Sequence, residues 1–302
     1  MHGTVDGFGY GLVTPLVAYL MACLGGALGL RCTARSALVA RAWRPAWLAL
    51  GSAAIGSGIW SMHFIAMTGF SVAGAPISYD RPLTYSGLGV AVVMVGVGIF
   101  IVGYRGATGT ALFTGGTITG LGIASMHYLG MAGMRLDATF TYNTLTVALS
   151  VAIAMTAATA ALWAAGRVRG LRWSVGAALV MGVAVTGMHY TGMAALSVHT
   201  HLAAPAATAV DAPESGLLVP MLIGPLVFLA LAAAVVVHEP LLVTGDPYRV
   251  PAPPRPGVPA PHRTHGHLRD TDGHPHGPGG GARLRTRPGT AAQPAARTPQ
   301  NR

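Results

Sequence analysis

Seven uncharged apolar runs, separated by short polar segments, set the plan of this chain. They cover about residues 9–30, 47–70, 83–103, 110–134, 145–165, 174–196 and 217–237. A helix needs about 20 residues to cross a hydrocarbon core about 30 Å thick, and each run supplies that many. The pattern therefore predicts an all-α membrane protein with seven transmembrane helices. The first run is preceded by Asp6 and no Arg, which fits a retained span rather than a cleaved signal peptide. Beyond Glu239 the character changes. Residues 245–302 are dominated by Pro, Gly, Arg, Ala and His, with almost no large apolar side chains to build a core. The expected division is a membrane domain over 8–240 and a disordered Pro/Gly/Arg/His-rich tail over 241–302, with no room for an output domain.

Composition agrees with the pattern. Only 9% of the residues are charged, against roughly 25% in soluble domains. The net charge of +10 does not point to nucleic acid, because nine Arg lie in the tail beyond residue 248. The remaining Arg sort by loop. Arg31, Arg35, Arg41 and Arg44 follow the first run, Arg105 the third, and Arg167, Arg169 and Arg172 the fifth. The alternate loops hold only Arg81 and Arg135, beside Asp80, Asp137, Asp211 and Glu214. Cytoplasmic loops carry the excess of positive charge. The odd loops are thus expected inside, the N-terminus outside and the tail in the cytoplasm. Cys23 and Cys32 stand nine residues apart in and just after the first run. That is about 13 Å along a helix, too far for a bridge.

One motif recurs: Ser61–Met67 reads SMHFIAM, Ser125–Met131 reads SMHYLGM and Gly187–Met193 reads GMHYTGM. The copies are 64 and 62 residues apart, so the repeating unit is a pair of spans: three two-helix repeats plus one extra helix. His63, His127 and His189 lie 16, 16 and 15 residues beyond Trp47, Ala111 and Ser174 at the expected inner ends. That is about 22–24 Å of helical rise in each case. Three imidazoles are thereby expected at one depth, in the outer part of the bilayer. The motif spans are rich in Gly, including the G-x-x-x-G of Gly116 and Gly120, which favours close helix approach.

The spacing has chemical content. His and the second Met are four residues apart and share a helix face, while the first Met sits about 100° round. Imidazole and thioether suit copper, the thioether especially Cu(I). Both ligate uncharged, which lowers the cost of a site within the membrane. The candidate metal ligands are Met62, His63, Met67, Met126, His127, Met131, Met188, His189 and Met193, more than one copper ion can use. Tyr128 and Tyr190 follow two of the histidines and are candidates for hydrogen bonding to a bound ligand, or for an interfacial role. An ionisable residue inside a span is a functional candidate by default. The pair His199 and His201 is a candidate entry site in an outer loop. His262, His265, His267, His274 and His276 in the tail could hold a divalent metal weakly. No catalytic constellation is present, so no enzyme activity is expected.

These three motifs, on alternate spans of a seven-span unit, resemble the MHYT domain of bacterial signalling proteins over about residues 8–240. Only the third copy reads MHYT in full; Phe64, Ile65 and Leu129 depart from it. The resemblance implies a multi-pass protein of the bacterial cytoplasmic membrane. It also implies copper held by the Met and His of each motif near the outer face, and sensing of a diatomic gas such as O2, CO or NO. Family members often continue into cytoplasmic signalling enzymes. Here a separate cytoplasmic partner is expected to take the signal from the Arg-rich inner loops. Two other readings compete: a copper carrier or permease, and a haem-binding membrane redox protein.

Overall fold

The computed structural model describes residues 5–6, 11–72, 77–136, 138–167, 171–200 and 218–238. Residues 241–302, the expected tail with its histidines, lie outside the described residues, as does His201. Seven long helices are present among the described residues. They are α1 (Val13–Ser36), α2 (Arg44–Met67), α3 (Arg81–Arg105), α4 (Gly109–Ala132), α5 (Thr144–Arg167), α6 (Leu171–Ala194) and α7 (Leu218–His238). Each matches one of the seven runs to within a few residues. Six of them, all but α4, are long and apolar enough to cross a membrane. At 24 residues α4 has the same length as its neighbours. The four Thr and five Gly of the stretch Gly109–Gly122 lower its hydropathy.

The all-helical expectation is incomplete. Three antiparallel pairs of short strands flank the helices. Strand β1 (Val5–Asp6) pairs with β2 (Ser71–Val72), β3 (Ser78–Tyr79) with β4 (Met134–Arg135), and β5 (Ala138–Tyr142) with β6 (Leu196–Thr200). Each pair joins the residues before an odd helix to those after the next even one. The repeat is therefore strand–helix–helix–strand, three times over, and the strand pairs tie together the ends at which the motifs lie.

Consecutive helices pack on one another and α6 returns to α1, closing a ring of six; α7 lies outside it against α1 and α2. Within this ring α2, α4 and α6 also touch each other across the centre. Backbones meet closely inside repeats. A Cβ on Gly25 would stand 2.7 Å from the Ala54 carbonyl oxygen and from Gly58 Cα. The G-x-x-x-G of α4 faces α5: a Cβ on Gly116 would lie 2.9 Å from Thr159 Cα, and one on Gly120 2.7 Å from the Met155 nitrogen.

Helix starts follow local chemistry. Asp80, Thr108 and Asn143 cap α3, α4 and α5 by accepting from the backbone N–H of Leu83, Ala111 and Thr146 at 3.0, 3.4 and 3.0 Å. Asp80 also accepts from Arg135 of β4 at 2.9 Å. The Leu83 N–H first, and the Arg135 guanidinium second, hold the Asp80 carboxyl below its ordinary value. A carboxyl lowered in the folded state stabilises above its unfolded value and loses that contribution as pH falls through the folded one. Asp80→Asn is thus expected to flatten the acid side of the thermal-melting profile below about pH 4. Its Tm at neutral pH should change little, because the pair is exposed and the amide oxygen still caps the helix.

Candidate functional site

The ring brings the three motif histidines to one point. His63 on α2, His127 on α4 and His189 on α6 are at most 1% exposed. Their Nδ1 atoms form a triangle with edges of 3.0, 3.1 and 3.3 Å. The rings stand edge to face, with centroids 4.9–5.1 Å apart and interplanar angles of 81–87°. Among the described residues they are the group of His, Cys, Asp and Glu placed to hold a metal ion.

A neutral imidazole carries one N–H and one lone pair. Both lie in the ring plane, so each Nδ1 directs its proton or lone pair toward the shared centre rather than squarely at a neighbour. Three such edges cannot all pair as ordinary hydrogen bonds. Three lone pairs can, however, share one cation. At the 2.0–2.1 Å typical of metal–imidazole bonds, the nitrogens of a tetrahedral set stand about 3.3 Å apart. The triangle is close to that spacing. Three neutral nitrogens without a carboxylate suit copper or zinc rather than magnesium or calcium. The residues present therefore fit the expected metal.

The motif methionines are buried in the same core without being equivalent. Met62, Met67, Met126, Met131 and Met188 are at most 1% exposed, and Met193 is partly buried against the same core. Met126 lies along Gly87 of α3, whose added Cβ would be 3.6 Å from the Met126 Cγ. That is the direction expected of a residue about 100° round the helix from its histidine.

The aromatic neighbours pack edge-on. Phe64, Tyr128 and Tyr190 lie 4.7, 4.9 and 5.0 Å in centroid distance from the histidines that precede them. Ser150 of α5 donates to the Val147 carbonyl at 2.8 Å, so the Tyr128 hydroxyl donates to Ser150 at 2.6 Å. That phenol tethers α4 to α5. Tyr190 is half-buried. His199 lies on β6 opposite Thr139.

Sequence reasoning missed a layer beneath the histidines. Ile59, Ile123 and Val185 each stand four residues before a motif histidine, and none is more than 4% exposed. They roof a cavity of ≈ 30 Å³ lined by apolar side chains of α1 to α6, with Thr119 contributing a hydroxyl that donates to the Met94 carbonyl. The signal was legible: a branched aliphatic at the same offset in all three repeats.

The fold and site define a multi-pass membrane protein built from a threefold helical repeat with a histidine on each inner helix. Residues 56–115 and 120–178 match the MHYT model, the bacterial signalling protein N-terminal repeat. Residues 56–178 of this chain thus carry two MHYT repeats. The matched segments run from mid-α2 into α4 and from mid-α4 into α6, so each joins halves of two structural repeats. Similar proteins carry signalling names. The bifunctional diguanylate cyclase/cyclic di-GMP phosphodiesterase MucR of Pseudomonas aeruginosa is 46% identical over 154 residues, 49% of this chain and 22% of that protein. The cyclic di-GMP phosphodiesterase NbdA of the same organism is 38% identical over 210 residues, 66% of this chain and 25% of that one. Signaling protein YkoW of Bacillus subtilis is 29% identical over 202 residues, 65% and 25% of the two chains. This chain thus spans about a quarter of the length of the curated relatives it matches. No solved structure matches it.

Proposed function

We propose that this chain is a non-enzymatic membrane sensor whose three histidines hold one copper ion, and that a diatomic gas or a redox change at that ion is the signal. The observation that carries the reading is the Nδ1 triangle, with edges of 3.0–3.3 Å inside a dry core. In this reading all seven helices span the bilayer, α4 being shielded from lipid by α3 and α5. The N-terminus lies outside and the tail is cytoplasmic. Copper bound there would supply a one-electron couple and a soft centre able to take a diatomic ligand. His63, His127 and His189 hold it through Nδ1. Met67, Met131 and Met193, on the histidine faces, are the thioethers best placed to complete the set. Met62, Met126 and Met188 serve mainly to pack. Tyr128 and Tyr190 hold the rims of the site, where a bound ligand would meet them.

The layer of Ile59, Ile123 and Val185 keeps water and ions out of the centre of the ring. It leaves below it a small apolar cavity that suits an uncharged molecule better than a hydrated ion. This speaks against the carrier reading. Haem is also a poor fit, because nitrogens this close leave no room for a macrocycle between them. Signalling follows if the occupied and vacant triads prefer different separations of α2, α4 and α6. A ligand shifts such an equilibrium only by its differential affinity for the two states. A separate cytoplasmic partner then reads the change at the Arg-rich inner loops.

Elemental analysis of the detergent-purified protein after Cu(I) loading tests the reading. The expected result is about one copper per chain, with no haem absorbance band. Proteoliposomes should take up no more Cu(I) than protein-free vesicles. Absence of copper from loaded protein overturns the proposal, and uptake supports the carrier instead.

A further inference from the structure

The motif contains a small residue whose position the metal chemistry does not explain. Three residues after each histidine stand Ala66, Gly130 and Gly192. In the ring these do not serve the histidine of their own helix. A Cβ on Gly130 of α4 would overlap Nε2 of His63 on α2 and lie 3.0 Å from its Cδ2. A Cβ on Gly192 of α6 would overlap Nε2 of His127 on α4, 2.9 Å from Cδ2 and 3.2 Å from Cε1. The relation steps from one motif helix to the next: the α2 histidine rests on α4, and the α4 histidine on α6. Ala66 holds the same register on α2. The Nε2 atoms of His63 and His127 are buried without a hydrogen-bond partner, so glycine backbone takes the place of the acceptor that usually orients a ligating imidazole.

We propose that Gly130 and Gly192 are positioning residues. Each is the floor against which the histidine ring of the preceding motif helix is pressed by its Nε2 edge, so that only Nδ1 edges reach the shared centre. The magnitudes make the arrangement intolerant of a methyl group. Non-bonded heavy atoms need about 3.5 Å. The His63 ring would therefore have to retreat by about 0.5 Å or more. It retreats toward the Nδ1 atoms of His189 and His127, already 3.0 and 3.1 Å away. The ring must then swing its Nδ1 off the centre, or α2 and α4 must part. Either way the three nitrogens no longer converge. The contact is pair-specific, Gly130 with His63 and Gly192 with His127, and it exists whether or not a metal is bound. Only its effect on ion affinity rests on the function proposed above.

A double-substitution cycle on the full chain in detergent tests this. Gly130→Ala and Gly192→Ala should each lower the Tm of the metal-free protein. His63→Ala should rescue Gly130→Ala but not Gly192→Ala, and His127→Ala the reverse. Histidine 15N spectra of the metal-free protein should show the His63 signals moved by Gly130→Ala and the His127 signals by Gly192→Ala. With Cu(I) added, the wild type should shift its Nδ1 signals and keep Nε2 protonated. Each glycine variant should bind Cu(I) at least about tenfold more weakly, as expected when a group that orients a ligand is lost. Rescue without pair specificity, unchanged histidine spectra in both variants, or Cu(I) ligation through Nε2 overturns the inference. If the wild type binds no Cu(I), the metal reading fails alone, and the metal-free cycle still decides the role of the glycines. A variant too unstable to purify is judged by whether its paired histidine substitution restores a folded protein.

Discussion

His127→Leu should reduce copper bound by loaded protein from about one per chain to less than about a tenth, and His63→Leu and His189→Leu should do the same. Losing a group that merely orients a ligand costs about 10- to 100-fold in metal affinity, so losing one of three nitrogens should cost at least that. Leucine is chosen because it fills most of the volume of an imidazole at these fully buried positions and avoids the cavity that alanine would leave. The sign of the stability change then separates the metal reading from a packing role. Without metal, each histidine directs Nδ1 at a centre shared with two others, and Nε2 of His63 and His127 is unpaired. Leucine removes both defects at His127, so the metal-free variant should melt at or above the wild-type temperature. With copper present the order reverses. At free copper 100 times Kd, binding stabilises the wild type by about 2.7 kcal/mol, and a variant that does not bind gains nothing. A variant destabilised equally with and without copper would reduce the triad to core packing.

The triad was legible in the sequence because three properties repeated together: residue type, period and distance from the inner helix end. Equal depth in a repeated two-helix unit leaves the three inner helices facing one axis, as α2, α4 and α6 do. Which edge of each imidazole faces the centre was not legible. It depends on which side of the next helix lacks a Cβ, a contact between residues 65 to 67 positions apart in the chain, counting from His63 to Gly130 and His127 to Gly192. The strands were also hidden. Segments as short as Val5–Asp6 and Ser71–Val72 have no periodicity of their own, and pair because the helix hairpin between them returns the chain to the same end. The lower hydropathy of α4 has a related reason. Several of its Thr and Gly face α3 and α5: Thr119 donates to the Met94 carbonyl at 3.3 Å, and Gly116 and Gly120 lie on the α5 backbone.

Gly58→Ala and Gly89→Ala form a second test, of the frame that holds the triad, with opposite expected signs. Both glycines lie within long helices, Gly58 in α2 and Gly89 in α3, and helix propensity alone makes each replacement favourable by up to about 1 kcal/mol. A Cβ on Gly89 of α3 would meet nothing within 4 Å, so that variant should keep its gain and melt at or slightly above the wild-type temperature. A Cβ on Gly58 would stand 2.7 Å from Gly25 Cα, 3.2 Å from the Gly25 nitrogen and 3.2 Å from the Met21 carbonyl oxygen. All three are backbone atoms, so no side chain can turn aside and α1 must move off α2. Overpacking of this kind costs about 1–3 kcal/mol, which outweighs the propensity gain and corresponds to a fall of about 3–10 °C in Tm. Gly58 lies five residues before His63, and the displacement of α2 should reach the triad. Gly58→Ala should therefore also weaken Cu(I) binding, while Gly89→Ala leaves it unchanged. Equal melting temperatures for the two variants would mean that α1 and α2 do not approach this closely, and that the ring holding the histidines is looser than described.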